Sequence, residues 1–272
     1  MANKTILKWA GSKVRIMDQL LHHLPAGKRL VEPFAGSCAV MMNTDYDEYL
    51  VADANADLID LYQAIKDDCR KFTKLAAYWF SYCKENRDFY ELRDMFNTER
   101  DIFKNSVMWS GLFLFLNRHC FNGLCRYNTN GEFNVSCGHY KKPYFPMIEI
   151  RAFAGKSQRA SILHADWKDT LIQVEHGDVV YCDPPYLTND KAFTQYHQVN
   201  FTPADHELLA VALHTLHHDI GMPVTVSNSI EAKELYADLG FTIHEIDAPR
   251  TIAANGNRQP AKEIIAVLEK AA

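Results

Sequence analysis

The sequence predicts an α/β fold interrupted by a mostly helical insert. Three observations carry this. Two short apolar runs near the N-terminus each end on a turn or an acidic residue and pass into helical spacing. No strand signal appears between about residues 67 and 116. Strand signals then return from residue 160 onward.

In chain order, residues 29–34 (RLVEPF) read as a buried strand feeding the small-residue turn Ala35-Gly36-Ser37, with a helix running through Asn43. Residues 49–52 (YLVA) read as a second strand ending at Asp53. Between Asn55 and Lys66, Leu58, Ile59, Tyr62 and Ile65 share one helical face. Phe72, Leu75, Trp79 and Phe80, then Phe89, Leu92 and Phe96, then residues 107–116, read as three further helices. Residues 118–144 are rich in Asn, Gly and Tyr, and Thr129-Asn130-Gly131 is a hairpin signal. Strands are expected at 160–163, 179–182 (VVYC) and 224–226, with a helix marked by Leu208, Leu209, Leu213 and Leu216 between the last two. Residues 241–246 and 264–268 look like a closing antiparallel pair. The expected division is 1–57 with 148–272 as one domain and 58–147 as the insert.

Length, at 272 residues, suits one large domain or two small ones, and an apolar share of 47% excludes disordered and fibrous classes. No apolar run approaches twenty residues, so no membrane span is expected, and the N-terminus lacks the apolar core of a signal peptide. Seven cysteines, odd in number and scattered, fit a reducing cytoplasm better than a disulfide framework. Cys120, Cys125 and Cys137 with His119 and His139 match no standard zinc spacing, and no metal is expected. The net charge of −5 argues against a protein that coats nucleic acid, yet the charge is uneven. Residues 45–68 hold eight acids and one Lys, whereas 118–144 hold four basic residues and one acid.

Asp183-Pro184-Pro185-Tyr186 is the most informative tetrapeptide, because it follows a buried strand where open α/β sheets bind ligands. Two prolines remove two N–H donors, leaving carbonyls free to accept. With the Asp183 carboxylate they suit an exocyclic amine, which has two N–H groups to donate, and Tyr186 offers a flat face for a planar base. The first strand-to-helix turn, with Glu32, Phe34, Ala35, Gly36 and Ser37, is either an ordinary tight turn or one whose small residues let a ligand approach the backbone. Asp53 either accepts ribose hydroxyls or caps the next helix. Lys8-Trp9-Ala10-Gly11-Ser12-Lys13 reads either as a terminus with a packed Trp or as a loop folded over a ligand. In the 118–144 segment, the basic residues Arg118, Arg126, Lys141 and Lys142 interleave with the aromatics Phe121, Tyr127, Phe133, Tyr140 and Tyr144, which reads either as a DNA-reading hairpin or as a solvated hairpin packing its rings on the insert; Asn122, Leu124, Asn128, Asn134, Ser136 and His139 of the same segment are its further candidate DNA contacts.

KWAGSK, EPFAGS, ADAN, NGLCRYNTNGEFNV and DPPY occur in this order, with GHYKKPYFP and the tail RTIAANGN. Together they resemble the Dam-type DNA N6-adenine methyltransferases over nearly the whole chain. The resemblance implies a Rossmann-like S-adenosylmethionine-dependent methyltransferase sheet bearing an inserted, mostly helical target-recognition domain with a β-hairpin. It implies S-adenosylmethionine as donor, duplex DNA as partner and an adenine flipped from GATC as target, with no metal and no obligate protein partner. Trp9, Lys13, Gly36, Asp53 and Asp183 then fall on donor-binding positions, and Asp166-Trp167 on the position that holds the donor's adenine. Asp183 to Tyr186 fall on the catalytic tetrapeptide, and Lys8 and Arg126 on base-reading positions. Leu124 falls on a thymine-methyl contact and Phe121 on the ring that fills the opened stack. Ser12, Cys38, Ser136 and His139 depart from residues common in the family, and Asp53 sits in ADAN rather than NDIN. Cytosine-C5 chemistry is excluded, since no Pro-Cys dipeptide is present. Methylation of another amine, in RNA or protein, and a silent DNA-binding homologue remain the competing readings.

Overall fold

The computed structural model describes residues 2–83, 85–188, 201–249 and 261–269. A short helix α1 (Met17–Leu20) leads to β1 (Arg29–Glu32), α2 (Ala39–Asn43) and β2 (Glu48–Asp53). Four helices follow: α3 (Ala56–Tyr82), α4 (Asn86–Thr98), α5 (Arg100–Phe103) and α6 (Val107–His119). After an irregular stretch come α7 (Met147–Lys156), β3 (Ala160–His164), α8 (Trp167–Leu171) and β4 (Asp178–Cys182). The chain closes with α9 (Pro203–Ile220), β5 (Val224–Ser229), α10 (Lys233–Ala237), β6 (Thr242–Ala248) and β7 (Ala261–Leu268).

Among the described residues the strands form one seven-stranded sheet in the order β3-β2-β1-β4-β5-β7-β6. Neighbours are parallel except β7, which runs antiparallel to β5 and β6. Helices cover both faces, so β4 is buried along its whole length, and this double burial is why 179–182 read as an unbroken apolar run. The chain leaves β1 toward β2 and β3 but leaves β4 toward β5, so the direction of winding reverses between the paired strands β1 and β4. A crevice opens at the carboxyl ends of such a pair. At the opposite end Arg29 grips both carboxylate oxygens of Asp178, at 2.9 and 2.6 Å, and fixes the register of the pair.

The helix beginning after Asn55 extends far beyond Lys66. α3 runs on through Phe72, Ala76 and Trp79, broken only at Asp68 (φ −149°, ψ 81°). The segment expected as a separate helix is its continuation. α6 lies close against α3 because Gly111 has no side chain: a Cβ there would stand 3.1 Å from the Ala76 nitrogen. Between Cys120 and Cys137 the chain doubles back with isolated antiparallel bridges, Cys120 to Cys137 and Tyr127 to Phe133, rather than a continuous ladder. Asn128 forms the bend, its Oδ1 accepting from the Asn130 and Glu132 N–H groups. Asn97 bonds both polar groups of the Phe133 backbone, and Arg100 donates to the Gly131 carbonyl. Much of the acidic excess at 45–68 is consumed internally: Asp45 meets Arg159 at 2.6 Å, and Asp57 meets Arg100 at 2.9 Å. The RTIAANGN stretch lies outside the described residues.

Candidate active site

β1 delivers Glu32 to the crevice, and the turn after it is built around Gly36. Gly36 adopts φ +45°, and a Cβ there would stand 3.0 Å from Trp9 Nε1. The Trp9 indole therefore packs directly on the turn, and the N-terminal segment folds back over it. The Gly36 N–H donates to Asp53 Oδ2 at 2.9 Å, and the Tyr62 hydroxyl donates to the Gly36 carbonyl at 2.7 Å. Ser12 and Ser37 share a hydroxyl contact at 3.0 Å. Cys38 stands at φ +53°, a left-handed conformation that favours glycine. Asp53 is not the cap of α3; Asn55 is, its side chain accepting from the Leu58 N–H, while Asp53 Oδ1 accepts from the Asn55 N–H.

β4 delivers Asp183 beside this turn. Its Oδ2 lies 2.6 Å from Lys13 Nζ, with the carboxylate 20% exposed and the lysine side chain 5%. Lys13 also donates to the Gly11 carbonyl at 2.7 Å, and its Nζ stands 4.9 Å from the centre of the Tyr186 ring. Burial pushes the Asp183 carboxyl up to about 6, with Lys13 opposing the rise. Glu32 is fully buried; its Oε1 has no hydrogen-bond partner, and burial pushes its carboxyl up to about 8, the Asp183 charge adding to the rise. The Tyr186 hydroxyl donates to Glu263 Oε2 at 2.8 Å. Beyond it, the Leu187 N–H donates to Asn228 Oδ1 at 3.1 Å and the Ser229 hydroxyl donates to the Leu187 carbonyl. The exit of the tetrapeptide is thus stitched to the end of β5.

The other expected residues are distributed unevenly. Asp166 is exposed and caps α8, accepting from the Lys168 N–H at 2.9 Å, but Trp167 is buried among Val31, Leu50 and Val180, so its ring is core. Phe34 meets Phe201 edge-on at 5.8 Å, and Ala10 is half-buried. Lys8 is pinned through its backbone by Asn117, which also holds the Gly123 carbonyl. Its ammonium lies 3.8 Å over the Tyr140 ring, and its stem presses on Gly123 where any Cβ would clash. Lys8 and Tyr140 are therefore brought together. Arg126 is exposed, with Nε donating to Asn134 Oδ1 at 2.8 Å. Phe121 is 45% exposed, Asn122 is exposed in a left-handed turn, Leu124 is half-buried, and Ser136 and His139 are exposed.

Arg118 is a correction. It is 6% exposed, donates to the Thr5 and Ile6 carbonyls, and burial brings its guanidinium down to about 10. Read as a basic DNA contact, it is a strut that ties the N-terminal segment to α6. Sequence reasoning also missed Asp57, Tyr62, Asn117, Asn228 and Glu263, which act at long range and carry no local signature. Among the described residues no group of three or more His, Cys, Asp and Glu could hold a metal ion, and no helix is long and apolar enough to cross a membrane.

A mostly parallel seven-stranded sheet, with an acidic tetrapeptide at the carboxyl edge of β4, is consistent with a methyltransferase fold. Residues 9–252 match the D12 class N6 adenine-specific DNA methyltransferase family, and the chain belongs to it. It is 50% identical over 266 residues to the retron Ec67 DNA adenine methylase of Escherichia coli, covering 97% of this chain and 90% of that one. It is 44% identical over 271 residues to the DNA adenine methylase of Serratia marcescens, covering 97% and 98%. With the DNA adenine methylase of Escherichia coli strain K12 it shares 40% identity over 273 residues, covering 97% and 95%. The protein is an adenine-specific DNA methyltransferase.

Proposed function

We propose that this chain methylates N6 of an adenine flipped out of duplex DNA within GATC, with S-adenosylmethionine as the donor. The observation that carries the reading is the Asp183 carboxylate, held 2.6 Å from an ammonium beside the ring of Tyr186. An acceptor already matched to a nitrogen donor is suited to a second nitrogen donor, the adenine amine.

The residues at the crevice fit the donor. A turn too tight for a Cβ, an acid at the end of β2 and a buried Glu32 oxygen lacking any N–H or O–H form a cradle in need of a polar occupant. Trp9, Ala10, Lys13, Glu32, Phe34, Ala35, Gly36, Ser37, Asp53 and Asp166 would hold it, with the buried Trp167 as support. When bound, the donor supplies a methyl group on a positively charged sulfur.

This chain's own residues supply orientation and charge. The adenine amine is a poor nucleophile because its lone pair is delocalised into the ring. Asp183 and the Pro184 carbonyl would take its two N–H groups, favour a tetrahedral nitrogen and free the lone pair. Pro184 and Pro185 have no N–H with which to compete for those acceptors. The carboxylate also stabilises the positive charge that grows on that nitrogen. Tyr186 would stack on the base, offsetting the few kcal/mol of flipping.

On the DNA side, residues 58–147 act as the target-recognition domain on the catalytic domain of 1–57 and 148–272, with its hairpin at 118–144. Lys8 and Arg126 read bases, Leu124 meets a thymine methyl and Phe121 fills the opened stack. Asn122, Asn128, Asn134, Ser136, His139 and Tyr140 support them. The test is transfer of tritiated methyl groups to duplexes with GATC, with adenine in other contexts, and with GATC already methylated at N6. Label confined to the first supports the reading; equal label on the first two removes the site assignment.

A further inference from the structure

The tetrapeptide has an anchoring problem. Pro184 and Pro185 carry no N–H, so the backbone beneath the reacting acceptors cannot be held by its own donors. A tyrosine ring has two rotatable torsions, and a stacking face is useful only if its plane is set before the base arrives. The structure supplies a tether from a distant element. Glu263, near the start of β7, accepts the Tyr186 hydroxyl at 2.8 Å. Its Cα is in register with Ser229 of β5 and with Ile246 of β6, so the carboxylate sits on a strand paired on both edges. Ser229 in turn donates to the Leu187 carbonyl. One rung of the sheet thus holds both the ring of Tyr186 and the residue after it.

We propose that Glu263 is a positioning residue for the methyl transfer: it fixes the plane of the Tyr186 ring on which the flipped adenine stacks. The proposal rests on the reading of Tyr186 as the stacking face. A phenol donating to a carboxylate is a charge-assisted bond, stronger than a neutral one, and it is made at the end of the ring opposite the backbone. The ring is thereby held at both ends, with the Lys13 ammonium over it, 4.9 Å from the centroid. No residue of β7 needs to touch the base.

The experiment is a double-mutant cycle read by two signals: kcat and KM for a GATC duplex, and the fluorescence of 2-aminopurine at the target position, which rises when the base leaves the stack. Glu263→Leu and Tyr186→Phe remove the same bond from its two ends. Each is expected to lower kcat about tenfold, with KM for DNA little changed and a weaker flipping signal. The double variant is expected to be no worse than either single one. Glu263→Gln keeps an acceptor and restores most of the rate that Glu263→Leu loses. Tyr186→Phe leaves β7 untouched, so the inference stays testable even where Glu263→Leu fails to fold. Normal kcat in Tyr186→Phe, or losses that add in the double variant, overturn the role of Glu263. Tyr186→Ala separates the two levels. Full activity in that variant overturns the stacking reading itself; loss in Tyr186→Ala with normal Tyr186→Phe and Glu263→Leu overturns only the tether.

Discussion

Lys13 Nζ and Asp183 Oδ2 stand 2.6 Å apart at the carboxyl edge of the sheet, in contact across a separation of most of the chain. The ammonium bonds one oxygen of the acceptor that the proposed reaction needs, and a carboxylate has a second oxygen with which to take the adenine amine.

This pair sets a pH dependence. Burial raises the Asp183 carboxyl to about 6, and Lys13 limits the rise. The ionised acceptor is therefore gained as pH climbs through about 6, and single-turnover transfer is expected to rise with it. Lys13→Met removes the restraining cation and is expected to move that acidic limb to higher pH. A limb that stays in place in the variant would mean another group controls it.

Asp183→Ala is expected to abolish transfer while leaving DNA affinity largely unchanged, since in the proposed reaction the carboxylate acts on the amine and not on the DNA backbone. Filter binding and tritium transfer on the same preparation check both halves. Transfer at the wild-type rate would remove Asp183 from the chemistry.

Arg126→Ala is expected to cost about 1–3 kcal/mol and to relax discrimination at one base pair. The guanidinium is oriented by Asn134 at 2.8 Å, so Asn134→Ala is expected to produce a smaller loss of the same kind. Competition among duplexes altered singly within GATC is the measurement. Equal weakening on every duplex would make Arg126 a phosphate contact.

Glu32 makes a stability prediction. Its folded value of about 8 lies above the ordinary 4.5. The stability that goes with its protonated form is complete below about 4.5 and is lost as pH rises through about 8. Glu32→Gln keeps the shape without the charge, so its melting temperature is expected to exceed that of the wild type near pH 8 and to converge with it in acid. Parallel melting curves across about pH 5 to 9 would contradict the burial of an ionising carboxyl.

Asp57, in the first turn of α3, accepts from Arg100 at 2.9 Å and from the Tyr127 hydroxyl at 2.6 Å. Asp57→Ala leaves both donors without this partner and is expected to cost about 3 kcal/mol, the low end for a broken buried pair because Arg100 stays partly wet. Calorimetry of the ligand-free protein reads it. A change within about 0.5 kcal/mol would show that water replaces the carboxylate freely.

The central strands of the sheet were legible because burial on both faces writes a continuous apolar run, as in 179–182, whereas the edge strands β3 and β6 are only partly buried. α3 was cut short because two acids, Asp67 and Asp68, interrupt its apolar face at the one place where its backbone also departs from the helix. The four-residue α5 is too short to show any period. Arg118 misled because charge in a sequence says nothing of direction: a guanidinium facing two carbonyls inside looks the same as one facing DNA. Glu263 could not be seen, since it meets Tyr186 across 77 residues through the register of β7. The motifs that mark the crevice were legible because each lies within a few consecutive residues at the end of a strand.

The pairing of β2 with β3 has a consequence for how such proteins diversify. Asp53 and His164 are opposite one another in that pair, and His164 Nε2 lies 3.2 Å from the Ala54 carbonyl, 110 residues earlier in the chain. All the chain between them departs and returns within one strand spacing, about 4.8 Å. An excursion with its two feet so close can be lengthened, shortened or exchanged without altering the order of the strands.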